Sequence, residues 1–223
     1  MQPKTIGILG GLGPETTAEF YLDLVRIATV RTRPPVCIWS LPLNLKKESE
    51  YISIGKHISY YFSLLKQGAT ALQKAGCERI VIPCNTVHEF HPRLATASGV
   101  PITNLIEVVG TEVQRRGWKT VFLLATSRTL KTQLYQKVLS GFGISAMIPN
   151  LADQRKLDSL IQGLLGEKES KTHQGFLEGM VARSKSKHIV LGCTDLQLLF
   201  SASANVVDSM HELAADTARQ IIS

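Results

Sequence analysis

The hydrophobic pattern of the chain alternates between two kinds of segment. Short, almost continuous apolar runs are typical of strands buried on both faces of a parallel sheet. Between them, apolar residues recur every three or four positions, which is typical of amphipathic helices. The predicted strands are 5–10, 36–41, 79–83, 102–106, 120–125, 145–149, 188–192 and 205–208, and the predicted helices are 16–31, 52–75, 128–140, 153–165, 171–184 and 209–222. This alternation predicts an α/β fold with mainly parallel sheets.

The two halves of the chain resemble each other. Gly99 and Pro101 interrupt the pattern near residue 100, and each half has a buried strand that ends in cysteine and polar residues, IPCNT and LGCTD. Because open α/β sheets bind ligands at the carboxyl ends of their strands, we expect two pseudo-duplicated α/β domains that face each other across a cleft. The predicted domains are 1–99 plus 206–223, which carries Cys84, and 100–205, which carries Cys193.

Cys84 stands where a strand ends and a helical turn is predicted to begin. Free backbone N–H groups and the positive end of a helix dipole favour the thiolate, so the sequence predicts a pKa lowered toward neutrality. Asn85 and Thr86 add donors that can hold a carboxylate. His88, four residues on, is expected to hydrogen-bond the sulfur or a neighbouring water. The alternative is a cysteine that only fills space at a strand end.

Cys193 repeats this arrangement, with Gly192 before it and Thr194 and Asp195 after it. An adjacent carboxylate is expected to raise the pKa of the thiol. Packing alone is a poor explanation for two cysteines at equivalent strand ends. The chemistry that suits two opposed thiols is inversion of a carbon centre, in which one thiolate removes a proton and the opposite thiol donates one.

The composition and charge of the chain argue against several other functions. The net charge of +7 comes from 25 basic and 18 acidic residues that form no long run, and aromatic residues make up 6% of the chain, so a nucleic-acid partner is not expected. The four cysteines form no C-x-x-C pair, so neither a metal site nor a redox dithiol is predicted, and Cys37 and Cys77 are assigned structural roles. No signal sequence or span of ~20 apolar residues is visible, so a cytoplasmic protein without a membrane partner is expected.

The glycine-rich segment GILGGLGPETT, residues 7–17, does not match a dinucleotide-binding loop. Its glycine spacing differs from G-x-G-x-x-G, and no acidic residue ends the second predicted strand. A tight turn whose backbone approaches a small ligand is predicted instead, with Pro14 beginning a helix. Thr126 and Ser127, at the end of the strand 120–125, are predicted either to donate into the same cleft or to cap a helix.

Three segments, GILGGLGPETT, PCNTVH and LGCTDL, together resemble the aspartate racemase family of the aspartate/glutamate racemase superfamily. Their order and spacing match over essentially the whole chain. Glutamate racemases typically have Asp-Ser-Gly in place of the first segment and Cys-Thr-His in place of the last, so the aspartate branch matches better. The resemblance implies cofactor-independent racemisation of an amino acid by Cys84 and Cys193, in a homodimer.

The resemblance also implies which residues hold the substrate. Asn85, Thr86 and Thr194 correspond to the positions that bind the substrate carboxylate, with Thr126 in the equivalent loop of the second half, and Leu12 lines the cleft. His88 and Asp195 are candidates for adjusting the pKa of the thiols.

Two departures from the family bear on the substrate. Relatives that act on aspartate usually carry Pro-Asp-Arg-Thr after the second strand, where this chain has PLNLKKES. Lys47 falls near the family arginine, but a lysine lacks the bidentate fork that grips a carboxylate. A family lysine after the helix 153–165 is replaced by Gly166, with Lys168 two residues on. Aspartate is therefore the first expectation, with glutamate or a broader range as alternatives.

Two other functions remain open from the sequence. One is an isomerase or decarboxylase of another small carboxylate, since superfamily members exist that depend on one cysteine more than on two. The other is a carboxylate-binding protein that kept the cleft without catalysis. The retained pair of cysteines favours racemisation.

Overall fold

A computed structural model describes residues 4–28, 33–164, 171–200 and 203–222. The strands are β1 (Ile6–Gly10), β2 (Val36–Ser40), β3 (Arg79–Val81), β4 (Thr120–Leu124), β5 (Ser145–Met147), β6 (Ile189–Leu191) and β7 (Val206–Asp208). The helices are α1 (Pro14–Ala28), α2 (Leu45–Ile54), α3 (Ile58–Lys74), α4 (His91–Ala97), α5 (Leu105–Arg115), α6 (Ser127–Lys131), α7 (Leu134–Gly141), α8 (Leu151–Leu164), α9 (Lys171–Ser184) and α10 (Ser209–Ile222). Two 3₁₀ helices, Thr86–Phe90 and Thr194–Leu198, follow β3 and β6.

The strands form two parallel sheets, one in each half of the chain. The first has the order β2-β1-β3 and the second the order β5-β4-β6-β7. In the first sheet Ile6 pairs with Val36 on one side and with Arg79 on the other. The predicted α/β class with two parallel sheets is confirmed. The carboxyl ends of β3 and β6, the strands that precede Cys84 and Cys193, lead into the two 3₁₀ helices.

The strand predicted at 205–208 belongs to the second sheet, so its assignment to the first domain is wrong. Val206 pairs with Ile189, and Asp208 with Leu191, in parallel register beside β6. This short apolar segment follows the loop after β6 and pairs directly with the edge of β6. The final helix does return to the first half, where α10 packs against α1.

The strand predicted at 102–106 is replaced by a single bridge and a helix. Ile102 makes one parallel bridge to Ile80. Asn104 then ends the extended segment, because its side chain accepts the N–H of Ile106 and caps α5. The apolar residues that suggested a strand therefore form the buried face of a helix that the sequence pattern missed.

Two predicted helices are split at residues in a left-handed conformation, with His57 at φ of +62° beside Gly55 in the first break. Gly55, with φ of +70°, separates α2 from α3 within the predicted helix 52–75, which also begins earlier than expected. Gln133, with φ of +57°, separates α6 from α7. Apolar periodicity continues across both breaks, which explains why the pattern suggested single helices.

The hydrophobic core has a central part shared by both halves. Ile8 of β1, Phe20 of α1, Val109 of α5, Val121 of β4 and Leu213 of α10 belong to one buried cluster. Separate clusters fill the outer face of each sheet. The division of the chain near residue 100 therefore stays a prediction about the two sheets, since the core between them is continuous.

Within the described residues, none of the helices combines the length and the apolar character needed to cross a membrane.

Candidate active site

The carboxyl ends of the two sheets enclose a small cavity. Its volume is about 30 Å³, enough for about two water molecules. Many of the residues predicted from the sequence line it, namely Leu12, Cys84, Asn85, Thr86, Thr126, Cys193, Thr194 and Asp195. The remaining lining residues are Glu48, Tyr51, Ile52, Tyr61, Val87 and Ile161. The cavity thus joins the two cysteines from the two halves.

Cys84 is partly buried, and its thiol faces the cavity. Burial, and to a smaller extent the negative charges of Asp195 and Glu48, raise the pKa of the Cys84 thiol to about 12. The backbone N–H groups of Val87 and Thr86 act in the opposite direction and lower it. The prediction of a pKa lowered toward neutrality is therefore wrong. The backbone donors are present as expected, but removal of the sulfur from water outweighs them.

His88 does not hydrogen-bond the sulfur. Its Nδ1 lies 2.7 Å from the carbonyl oxygen of Cys84, and its Nε2 accepts the N–H of Leu105 at 3.1 Å. Because Nε2 accepts, the proton of a neutral ring is on Nδ1, which donates to the Cys84 carbonyl. Burial lowers the pKa of His88 to about 4. The ring therefore fixes the backbone of Cys84 and stays uncharged.

Cys193 is buried and donates its thiol hydrogen to Asp195 at 3.6 Å. Asp195 also accepts a hydrogen bond from the hydroxyl of Thr16. Burial, followed by the charge of Asp195, raises the pKa of Cys193 well above its usual value, and burial raises the pKa of Asp195 as well. The pair of thiol and carboxyl can share one proton, and Thr16 of α1 orients the carboxyl.

The glycine-rich turn between β1 and α1 brings Thr16 to Asp195. Gly11 and Gly13 adopt φ values of +83° and +94°, which side chains rarely adopt. Thr17 closes the turn by accepting the N–H of Gly11 and donating to the carbonyl of Gly13. Pro14 begins the helix as predicted, and Leu12 contributes to the wall of the cavity.

The polar residues around the cysteines are tied across the two halves. The Asn85 side chain accepts a hydrogen bond from the Tyr135 hydroxyl and donates one to Ser209 Oγ at 2.9 Å. The hydroxyl of Thr86 lies 3.1 Å from that of Thr126. Thr194 donates to the carbonyl of Pro83 at 3.4 Å. These contacts fix the donors that face the cavity.

Thr126 has both of the roles weighed from the sequence, because it lines the cavity and caps α6 by accepting the N–H of Thr129. Ser127 serves a structural purpose: its N–H and hydroxyl both bind Asp158 of α8.

Lys47 is not brought into the cavity. Its ammonium lies over the ring of Tyr60, 4.1 Å from the centroid. Lys168 and Gly166 lie outside the described residues. Among the residues that the structure does describe, no lysine or arginine lines the cavity.

Glu48, Tyr51 and Ile52 reach the cavity from α2, although the sequence did not suggest them. Their spacing of three and four residues places them on one face of the helix. A helix start recognised at Asn44, which caps α2 by accepting the N–H of Lys47, would have revealed this face. Tyr61 enters from α3 and stacks on Tyr51 with ring centroids 4.1 Å apart.

In the described part of the chain, no group of three or more His, Cys, Asp or Glu side chains is arranged to hold a metal ion.

Comparison with known proteins gives a consistent result. The sequence model of the family named Asp/Glu/hydantoin racemase matches residues 9–217. The broad specificity amino-acid racemase RacX of Bacillus subtilis (strain 168) is 28% identical over 225 residues, covering 95% of this chain and 96% of that protein.

Solved structures agree in fold. An aspartate racemase homologue from Pyrococcus horikoshii OT3 is 26% identical, with a TM-score of 0.79 over 99% of this chain and 100% of that chain. The Picrophilus torridus aspartate racemase is 21% identical, with a TM-score of 0.83 over 98% of this chain and 94% of that chain.

Proposed function

The chain belongs to the Asp/Glu/hydantoin racemase family, and we propose that it racemises an amino acid by acid–base catalysis with two opposed thiols, Cys84 and Cys193. The observation that carries the proposal is that the two thiols, from equivalent positions in the two halves, line one cavity. No pyridoxal phosphate is needed in this mechanism, because the thiols and the surrounding donors perform every proton transfer.

The reaction begins with both thiols protonated, as their raised pKa values require. An amino acid enters with its ammonium group, and this positive charge favours ionisation of a thiol in the cavity. Cys193 passes its proton to Asp195 and becomes the base. It removes the α-proton from one face, while Cys84 donates its own proton to the other face. The product leaves Cys193 protonated, Cys84 ionised and the first proton on Asp195. Release of that proton from Asp195 to solvent and uptake of one from solvent by Cys84 restore the starting state, and Cys84 is the base when the reaction runs in reverse.

The carbanion that forms at the α-carbon needs donors held in place before the reaction. The N–H groups of Thr86 and Val87 point at the Cys84 side of the cavity. The hydroxyls of Thr86 and Thr126 are mutually hydrogen-bonded beside it. These groups are placed to hold the substrate carboxylate, into which the negative charge of the carbanion is delocalised.

Replacement of either cysteine by serine tests the proposal. The Cys84→Ser and Cys193→Ser variants are expected to lose roughly 10² to 10⁴-fold in kcat for interconversion of the enantiomers. The measurement is the change in optical rotation of a single enantiomer. Cys37→Ser, at a position outside the cavity, is the matched control and is expected to keep full activity. A double variant of Cys84 and Cys193 that racemises at the normal rate would exclude the mechanism.

The two alternative functions give different results in the same experiment. A decarboxylase or another kind of isomerase would consume the substrate without forming the opposite enantiomer. A binding protein would neither consume the substrate nor form the opposite enantiomer. The homodimer implied by the resemblance and the cytoplasmic location stay predictions, and aspartate, the substrate first expected from the resemblance, is compared with other amino acids below.

A further inference from the structure

The α2 and α3 side of the cavity holds two polar groups without partners. The Glu48 side chain is 9% exposed, and no hydrogen bond or ion pair joins its carboxylate to another described residue. Tyr61 is 1% exposed, and its hydroxyl has no hydrogen-bond partner. Both line the cavity. Buried polar groups are normally hydrogen-bonded, so the unpaired Tyr61 hydroxyl, with the Glu48 carboxyl in the same cavity, indicates that a ligand completes this side of the site.

The two groups lie close enough to affect each other. Burial, and then the charge of Glu48, raises the pKa of Tyr61. Burial, and then the charge of Asp195, raises the pKa of Glu48 to about 7. Glu48 thus lines the cavity without a counter-charge among the described residues. A ligand that brings a positive charge or an N–H group to Glu48 removes this cost.

The other groups of the cavity already have partners. Asp195 is engaged by Cys193 and Thr16, and the Asn85 side chain by Tyr135 and Ser209. Glu48 makes no hydrogen bond with either thiol among the described contacts. It is therefore available for the part of a substrate that does not react.

We propose that Glu48 and Tyr61 recognise the side chain of the substrate and select amino acids whose side chain ends in a cation. This inference rests on the proposed racemase function, and it names the substrate class.

Charge decides between possible side chains. An acidic side chain would add a third carboxylate to Glu48 and Asp195, and no described lysine or arginine lines the cavity to offset it. Arg128, whose guanidinium lies 5.8 Å from the centroid of the Tyr51 ring, is held by both carboxylate oxygens of Glu89 at 3.0 and 2.5 Å. The stacked rings of Tyr51 and Tyr61 offer an apolar wall for methylene groups and a surface that attracts a cation. Size does not rank the candidates, because the closed cavity is smaller than any amino acid.

The test compares lysine with norleucine, which has the same carbon chain and no side-chain ammonium. Exchange of the α-proton in deuterated water is followed by proton NMR for both substrates, and for aspartate and glutamate. The wild-type protein is expected to exchange lysine with kcat/KM about 10 to 100-fold above that of norleucine. Aspartate and glutamate are expected to exchange more slowly than norleucine.

The Glu48→Gln variant separates side-chain recognition from other roles. It is expected to lower kcat/KM for lysine about 10 to 100-fold, mainly through KM, and to change norleucine less than about threefold. Glu50→Gln is the matched control, because Glu50 lies on the same helix but is half-buried and paired with His57. This control variant is expected to have the same kcat/KM as the wild-type protein for both substrates.

Tyr61→Phe removes only the hydroxyl and keeps the stacked ring. It is expected to lower kcat/KM for lysine by about 3 to 10-fold and kcat/KM for norleucine by less. This variant keeps the proposal testable if Glu48→Gln does not fold.

Each contrary result has a distinct meaning. Equal losses for lysine and norleucine in Glu48→Gln would overturn the inference, because Glu48 would then serve the α-ammonium group or Cys84. Fast exchange of aspartate by the wild-type protein, without exchange of lysine, would overturn the inference and leave the racemase function standing.

Absence of exchange for every amino acid would contradict the racemase function itself. Thermal unfolding then tests recognition separately. Lysine that raises Tm in the wild-type protein, but not in Glu48→Gln, would support recognition without racemisation. Lysine and norleucine with equal effects on Tm would overturn the inference as well.

Discussion

The two thiols of the cavity are kept neutral by the same burial that isolates them from water. Burial is the largest cause of the raised pKa at both Cys84 and Cys193. A neutral resting thiol suits a group that must donate a proton, whereas the opposite thiol needs help to become a base. In the proposed mechanism Asp195 gives this help at Cys193, whose thiol hydrogen it accepts. Slow alkylation of the empty protein is therefore compatible with catalysis.

Asp195→Asn separates the two effects of this carboxyl group. The amide cannot take the proton of Cys193, so kcat for racemisation is expected to fall about 10²-fold. Removal of the negative charge is also expected to lower the pKa of Cys193, which makes the peptide containing it react faster with iodoacetamide at neutral pH. Mass spectrometry of the labelled peptide measures the second effect. A variant with lower activity and slower labelling would contradict this role for Asp195.

His88 is expected to make stability depend on pH. Its pKa is about 4 in the folded protein and 6.5 in the reference state, so the unfolded chain binds the proton first as pH falls. The free energy of unfolding is therefore unaffected by His88 above pH 6.5. It falls by roughly 3 kcal/mol between pH 6.5 and pH 4, as the unfolded chain takes up the proton.

Urea unfolding at several pH values between 7 and 4 measures this loss. The His88→Gln variant, which does not titrate, is expected to lose less stability over this interval than the wild-type protein. Parallel curves for the two proteins would show that His88 is not the cause.

At the scale of elements, the turn between β1 and α1 positions the carboxyl group of the site. A Cβ added at Gly13 would lie 3.2 Å from the Asp195 carboxylate and 3.2 Å from the Thr16 hydroxyl. Gly117, after α5, has a similar φ of +71° with no atom within 4 Å of an added Cβ. The two glycines therefore share a left-handed backbone conformation and differ in contact with the site.

Alanine at each of these glycines tests the role of the turn. Both variants are expected to lose about 1 to 2 kcal/mol of stability, because alanine is strained at positive φ. Only Gly13→Ala is expected to lose activity, by at least about tenfold, since its methyl group presses on Thr16 and Asp195. Thermal unfolding and kcat are the measurements. Equal activity in the two variants would show that the turn does not position Asp195.

Periodicity predicted most elements because the strands are buried on both faces and the long helices are amphipathic. It failed where one residue changes the backbone, as at Asn104, Gly55 and Gln133, since such a residue leaves the apolar spacing intact. The cysteines and their polar neighbours were visible in the sequence because they follow strands directly. Glu48 was not, because its position in the cavity depends on where α2 begins and on how α2 packs.

At the scale of the whole molecule, the halves are joined closely around the cavity. The central core is continuous between them. Thr194 of the second half donates to Pro83 of the first, and Arg128 of the second pairs with Glu89 of the first. The cavity holds only about two water molecules, which is less than the volume of an amino acid. The described conformation is therefore the closed one, and entry of substrate requires the cleft to widen.

In the proposed mechanism, one thiol from each half of the chain acts on each side of the substrate. Isotope transfer during the reaction in deuterated water tests this most directly. With two bases, the product enantiomer receives its α-hydrogen from the opposite, solvent-exchanged thiol. Early in the reaction of one enantiomer of the best substrate, we expect the product to carry only deuterium and the remaining substrate to keep its proton. Product that retains the substrate's own proton would show that a single base serves both faces, and would contradict the account.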